Sequence, residues 1–109
     1  MKKLFASFLL VLLLTTQIKP AYAVVKDFEL YMKDWNDKRE LATQYLLEAE
    51  EAFKEGDEAI GCVIQRKASK YGIEATQSLI IAMKLNGSDE GVENFEYGLN
   101  KWKELGDFC

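Results

Sequence analysis

The 109-residue chain contains no histidine, and this absence removes several classes of enzyme. A Ser-His-Asp triad, a Cys-His nucleophile pair, a histidine-ligated zinc site and an imidazole general base all require that side chain. The sequence also lacks the G-x-G-x-x-G, phosphate-loop, C-x-x-C and G-x-S-x-G motifs. We therefore predict no catalytic, cofactor-binding or metal-binding residues, and we expect a protein that is not an enzyme.

Long apolar runs are scarce, since the longest one spans only the 11 residues 4–14. As a helix this run would extend about 17 Å, roughly half the thickness of a bilayer core. Two lysines precede it and the small residues of Ala21-Tyr22-Ala23 follow it, which is typical of a short bacterial secretory signal peptide. The sequence predicts a cleaved signal peptide over 1–23 and no stable membrane insertion afterwards. An uncleaved membrane anchor is the alternative.

Proline is also nearly absent, because the single proline, Pro20, lies within the predicted signal peptide. Cleavage after Ala23 would leave 11 basic and 18 acidic residues, a net charge of −7. A negative field repels nucleic acid and anionic lipid, so we predict no nucleic-acid partner; it favours solubility or a basic partner. The local cations Arg66, Lys67 and Lys70 are expected to pair with the acidic face of a neighbouring helix.

Apolar residues recur at helical spacing through most of residues 24–109, and no stretch alternates for long as a half-buried strand does. The first stripe predicts either one long helix over about 27–54 or a short helix before a longer one that begins near Asp37. Gly56 should end this region. The stripe opens with Phe28, Tyr31, Met32 and Trp35.

Further helices are predicted beyond this region, so the domain should be all-α, a small antiparallel bundle of about four helices over 24–109. Their predicted limits are Asp57 to Gly72, Glu74 to Asn86-Gly87, and Ser88 or Asp89 to near the end of the sequence. The last helix should bury Val92, Phe95, Leu99 and Trp102. Gly98, in the same helix, is expected to allow close approach of another helix at a cost of about 1 kcal/mol in helix propensity.

Only two cysteines are present, Cys62 and Cys109. Export would place them in an oxidising compartment, and their even number favours one disulfide bond within the chain. Closing a loop of that size stabilises a small domain by about 4 kcal/mol in the chain-entropy description. Two alternatives stay open: a buried inert Cys62 with a free thiol at Cys109, or a Cys109 that links two chains.

Two further groups of residues bear on function. Carboxylates crowd residues 48–58, where we expect a solvated face, because a helical di-metal centre would need Glu-x-x-His pairs. Tyrosine and tryptophan are plentiful, and most should lie in the core. Tyr31 and Trp35 are the candidate partner surface. In their N-terminal segment the sequence does not distinguish an aromatic packed in the core from an exposed aromatic that binds a partner.

Two segments carry resemblances to known proteins. Residues 49–57, followed by Ala59 and Ala68, resemble the helix-turn-helix of a tetratricopeptide repeat, although no second copy appears at a 34-residue spacing and no peptide-binding groove is implied. Gly61-Cys62 with residues 65–69, together with the ending 98–109, resemble short exported bacterial proteins of unknown function, cyanobacterial ones among them. That resemblance implies export and paired cysteines but no activity.

Together these features predict a non-enzymatic helical domain that is exported to the periplasm, another extracytoplasmic lumen or the medium. We expect it to act as a protein-binding or accessory module with an unknown protein partner. A self-associating structural protein, such as a homodimer, is the alternative. An enzyme that uses carboxylates and a metal is a much less favoured third hypothesis.

Overall fold

A computed structural model describes residues 21–88 and 90–109. In that part the chain is all-α, as predicted, with helices α1 (Ala21–Lys54), α2 (Glu58–Leu85) and α3 (Val92–Asp107). The predicted signal peptide lies outside the described residues except for its last three positions, with which α1 begins. Both α1 and α3 run antiparallel to α2 and pack against it, whereas no backbone contact joins the described parts of α1 and α3.

The turn between α1 and α2 follows the predicted capping chemistry. Of the two alternatives for the first region, one continuous helix is correct, and Asp37 lies inside it. Gly56 follows α1 with a φ of +83°, a conformation that glycine adopts without steric cost. Asp57 then caps α2, because its Oδ1 accepts a hydrogen bond from the main-chain N–H of Ile60 at 3.2 Å.

The described part contains three helices rather than about four, because α2 continues through Gly72. This glycine is buried inside the helix, and a methyl group at its position would overlap the ring of Trp102 from α3. Gly72 therefore gives space to a neighbouring side chain and does not form a turn. The end predicted at Asn86-Gly87 is correct, since α2 ends at Leu85 and Gly87 has a φ of +71°.

Two expectations for α3 need correction. The helix begins at Val92, later than predicted, after Gly91 with a φ of +90°. Gly98 does not meet a close neighbour, because a Cβ atom there would have no atom within 4 Å. Close approach occurs instead at Gly72 and at Gly106, where a Cβ atom would crowd the side chain of Ser69.

The contact between α1 and α2 is a seam of small residues. No large side chain is fully buried in the described part, and the alanines of the seam have relative exposures of 9% or less. Most seam positions recur every seven residues, which keeps them on one side of each helix in a left-handed pair. We call these residues the small-residue seam: Ala42, Ala49, Ala52, Gly61, Ala68, Ala75 and Ala82.

Polar side chains of α2 fix α3 in its register. The buried Gln65 donates from Nε2 to the main-chain oxygen of Leu105 at 2.9 Å. The buried Ser69 hydroxyl donates to the main-chain oxygen of Trp102 at 2.7 Å. Because both donors would lose these partners if α3 moved, their desolvation opposes any slip of the helix.

Candidate functional site

The two cysteines meet on the side of α2 against which α3 packs. Cys62 lies in the first half of α2, and its sulfur is at disulfide distance from that of Cys109, with the Cα atoms 5.5 Å apart. Neither cysteine is free, so the structure has the predicted pairing within the chain. Arg66 also donates from Nη2 to the main-chain oxygen of Cys109 at 2.9 Å. The residues after α3 are therefore held to α2 at two adjacent points.

The candidate partner residues Tyr31 and Trp35 lie one turn apart on α1. Tyr31 is 36% exposed, whereas Trp35 is half-buried and carries the guanidinium of Arg39 at 4.7 Å from its ring centroid. Phe28 and Met32, which we expected to pack with them, are half-buried too. This segment follows α2 rather than projecting away from it, and a role for its aromatics in binding stays a prediction.

A polar anchor holds this segment of α1 to α2. The hydroxyl of Ser78 donates to Oδ2 of Asp34 at 2.5 Å, and the ammonium of Lys38 lies 3.2 Å from the same oxygen and 3.6 Å from Oε2 of Glu74. The hydrogen bond from Ser78 lowers the pKa of Asp34 despite partial desolvation, and the bond with Asp34 raises the pKa of Lys38. Both groups are held in their charged forms at neutral pH.

The cations of α2 do not pair with an acidic face as predicted. Arg66 binds the main-chain oxygen of Cys109, while the ammonium groups of Lys67 and Lys70 lie over tyrosine rings, 5.9 Å and 5.8 Å from the centroids of Tyr45 and Tyr71. The two tyrosines stack at 5.7 Å with an interplanar angle of 12°. The prediction is wrong because Lys67 meets the ring of Tyr45 on α1 and Lys70 meets the ring of Tyr71 on its own helix, instead of carboxylates.

The acidic region 48–58 is exposed over most of its length, as expected for a solvated face. Within it Lys54 pairs with Glu50 at 3.4 Å. Within the described ranges, no three carboxylate or thiol side chains come together in a group that could hold a metal ion. The acidic character of this region thus bears on how the surface attracts partners.

Eleven large apolar side chains are exposed in the described part, a consequence of the small-residue seam. One of them, Leu46, lines a groove of about 440 Å³ between α1 and α2 together with Glu50, Phe53, Lys54 and Gln65. Leu46 is 37% exposed there. Tyr97 on α3 is 63% exposed, and Phe108, which follows α3 and precedes the disulfide-bonded Cys109, is 86% exposed. We call Leu46, Phe53, Tyr97 and Phe108 the α3-side surface.

A second group lies on two stripes that flank the small-residue seam. The α2 stripe reaches round to α3, because Lys70, Glu74 and Gln77 line a groove with Lys103, Gly106 and Asp107. Residues of each stripe are spaced alternately by three and four positions, so they share one side of their helix. The ion pair between Lys38 and Glu74 and the bond between Asp34 and Ser78 show that the stripes adjoin. The acidic stripe on α1 is Leu30, Asp34, Asp37, Leu41, Gln44, Glu48 and Glu51. The basic stripe on α2 is Ile60, Val63, Lys67, Lys70, Glu74, Gln77, Ile81 and Lys84.

Sequence reasoning missed both the tyrosine stack and the two stripes. Tyr45 and Tyr71 were expected in the core with most of the other aromatics, and the lysines beside them were treated as one local cluster. A seven-residue repeat in each helix distinguishes the stripe positions from the seam positions. Which stripes adjoin depends on how the helices pair, and the sequence does not show that pairing.

Comparison of the chain with protein-family models, with curated protein sequences and with solved structures gives no match. None of the helices in the described part is both long enough and apolar enough to cross a membrane.

Proposed function

We propose that the chain is a non-enzymatic, exported helical protein that acts by binding another protein through its α3-side surface. The observation that carries this proposal is the exposure of Phe108, which is 86% exposed although the next residue is bound to α2. A frayed end would leave an aromatic side chain mobile. Here the disulfide fixes the main chain next to Phe108, so a partner that covers the ring does not have to order the end of the chain.

The surroundings of Phe108 support a protein partner over a small molecule. Tyr97 is exposed on the same helix, and its ring is contacted by the ammonium of Lys101 at 5.2 Å. The groove beside Leu46 and Phe53 is open and adds an apolar surface on α1. Aromatic side chains with apolar neighbours and a charged rim are the composition found at the centre of protein interfaces.

Export is part of this proposal. A disulfide between Cys62 and Cys109 is compatible with an oxidising compartment, where such bonds persist. The sequence features of residues 1–23 support the same location. In that setting the protein would serve as an accessory module of the periplasm, of another extracytoplasmic lumen or of the medium.

The test is photo-cross-linking in the native host. A benzophenone amino acid replaces Phe108 in one strain and the exposed Glu93, also on α3, in a matched control strain. We expect one discrete cross-linked product at position 108 and none at 93, with a mass that differs from that of two copies of the chain. Purified protein should retain the same partner in stoichiometric amount at low salt. Equal products at both positions, or no stoichiometric partner at low salt, would contradict the proposal.

A further inference from the structure

The hairpin face that carries the acidic and basic stripes combines exposed apolar side chains with charges. Five of the eleven exposed large apolar side chains lie on it, and α3 packs along the other edge of α2 through Cys62, Gln65, Ser69 and Gly72. Leu30 is 58% exposed and Ile60 is 53% exposed. Leu30 and Ile81 lie at one end of this face and Ile60 and Val63 at the other, with charged side chains between them. The five residues are Leu30, Leu41, Ile60, Val63 and Ile81.

The charges on this face are segregated by helix. The acidic stripe has four carboxylates and no cation, whereas the basic stripe has three lysines and one carboxylate, Glu74, which pairs with Lys38. Among the described residues, no carboxylate lies within 4 Å of the ammonium groups of Lys67, Lys70 or Lys84. Asp34 and Glu74 share the ammonium of Lys38 within the chain, whereas the three lysines of the basic stripe have no acidic partner among the described residues.

We propose that this face binds the same face of a second copy of the chain. An interface with two-fold symmetry requires a surface that is complementary to itself, and a face with both an acidic and a basic stripe meets that requirement. The site is separate from the α3-side surface and does not depend on the proposed function, because a dimer of this kind leaves Phe108 accessible on both copies.

The charge pattern also selects the arrangement of the two copies. A two-fold axis parallel to the helices places α1 of one copy against α2 of the other, so each acidic stripe meets a basic stripe. An axis perpendicular to the helices would place α1 on α1 and bring the two acidic stripes together. The first arrangement gives a four-helix bundle in which all neighbouring helices are antiparallel, a stable and common architecture.

In the first arrangement the two-fold axis runs parallel to the helices, so each residue lies at the same height along the bundle in both copies. Within a chain Tyr45 is level with Tyr71, because the rings stack. Glu48 lies one turn beyond Tyr45, and Lys67 lies one turn before Tyr71 on the antiparallel helix. Glu48 of one copy thus faces Lys67 of the other, and symmetry repeats the contact.

One apolar contact forms at the end of the interface that lies away from the hairpin loop. Asp34 is level with Ser78, since the two side chains are hydrogen bonded. One turn further from the hairpin loop, Leu30 of one copy then faces Ile81 of the other. This apolar contact and the charge pairs of Glu48 with Lys67 together specify one register.

The decisive experiment reverses the charges singly and then mixes the products. The chain is expressed from its full coding sequence, purified in the form that the cell accumulates, and its mass in solution is measured by sedimentation and native mass spectrometry. We expect the unaltered chain to be a dimer. Glu48→Lys or Lys67→Glu alone should weaken it more than about tenfold in dissociation constant, because each reversal acts twice in a two-fold interface.

An equimolar mixture of the two variants should regain the dimer, because both contacts in the mixed pair are again between opposite charges. Labelling one variant with ¹⁵N identifies this mixed pair by mass. Thermal unfolding of each variant establishes that the single changes leave the fold intact. A mixture that stays monomeric while its unaltered parent is a dimer would overturn the proposed register.

Matched controls lie on α1 outside the acidic stripe. Glu40→Lys makes the same charge change as Glu48→Lys, and Leu47→Ser removes a side chain that is 62% exposed, more than the 37% of Leu41. We expect both controls to remain dimeric and Leu41→Ser to dissociate. A monomeric unaltered chain at low salt, or a dimer that tolerates both charge reversals and Leu41→Ser, would overturn the proposal.

Discussion

Gly72 and Gly98 offer a direct test of how α3 is seated, because both are helical glycines and only one has a neighbour. A Cβ atom at Gly72 would overlap the ring of Trp102, whereas one at Gly98 would meet no atom within 4 Å. Replacing either glycine by alanine should add about 0.8–1 kcal/mol of helix propensity. For Gly98→Ala this is the whole expected effect, so the variant should be more stable than the parent.

Gly72→Ala has the same gain in propensity but forces Trp102 from its position. Overpacking of this kind costs about 1–3 kcal/mol. Because the propensity terms cancel between the two variants, the difference in their unfolding free energies isolates that cost, and Gly72→Ala should be the less stable by about 1–3 kcal/mol. Urea unfolding followed by far-UV circular dichroism, with the disulfide intact, gives both values.

A protein without the Trp102 ring separates the clash between that ring and the added methyl group from any other effect of the substitution at Gly72. In Trp102→Ala protein the ring is gone, so Gly72→Ala should stabilise by about as much as Gly98→Ala does. The reasoning is refuted if Gly72→Ala is at least as stable as Gly98→Ala in the parent, or if removal of Trp102 leaves the penalty at Gly72 unchanged.

Three other predictions follow from the contacts described above. Cys109→Ser should lower the unfolding free energy by about 2–4 kcal/mol and leave the far-UV circular dichroism spectrum helical. Mass spectrometry of the unreduced parent should find no reactive thiol. Two freely labelled thiols would contradict the pairing. Ser78→Ala should raise the pKa of Asp34, which NMR titration measures. In the parent, the lowered pKa of Asp34 stabilises the fold at pH values above the unfolded pKa of about 3.9, and this contribution is lost as the pH falls through the folded pKa. Ser78→Ala should therefore be less stable than the parent at neutral pH, and the difference in unfolding free energy should shrink in acid. No difference at neutral pH would show that Ser78 does not anchor Asp34. Asp57→Ala should cost about 1 kcal/mol in urea unfolding through loss of the α2 cap, whereas Asp57→Asn should cost less.

The sequence predicted those parts of the fold that depend on neighbouring residues. The turn at Gly56 and Asp57 was correct because a positive-φ glycine and a capping carboxylate act within one turn of helix. The pairing of Cys62 and Cys109 followed from their number and the expected compartment. Both inferences required no knowledge of which helices touch.

The errors concern residues whose roles are set by distant partners. Gly72 has the local signature of a helix end, and only the ring of Trp102, thirty residues later, explains why the helix continues there. Lys67 and Lys70 were assigned acidic partners because charge is visible in a sequence, but the stacking of Tyr45 on Tyr71 is a product of tertiary pairing. The two stripes were missed for the same reason.

The small-residue seam has a consequence for which substitutions this protein tolerates over evolutionary time. In most domains the large buried side chains are the positions that accept the least change. Here the seam alanines Ala42, Ala68 and Ala82 have no exposed surface, so any larger residue would push two helices apart. Exposed leucines and isoleucines are free to vary in an isolated chain. Wherever such residues are nevertheless retained among descendants of this gene, selection is acting on a complex rather than on the stability of the single chain.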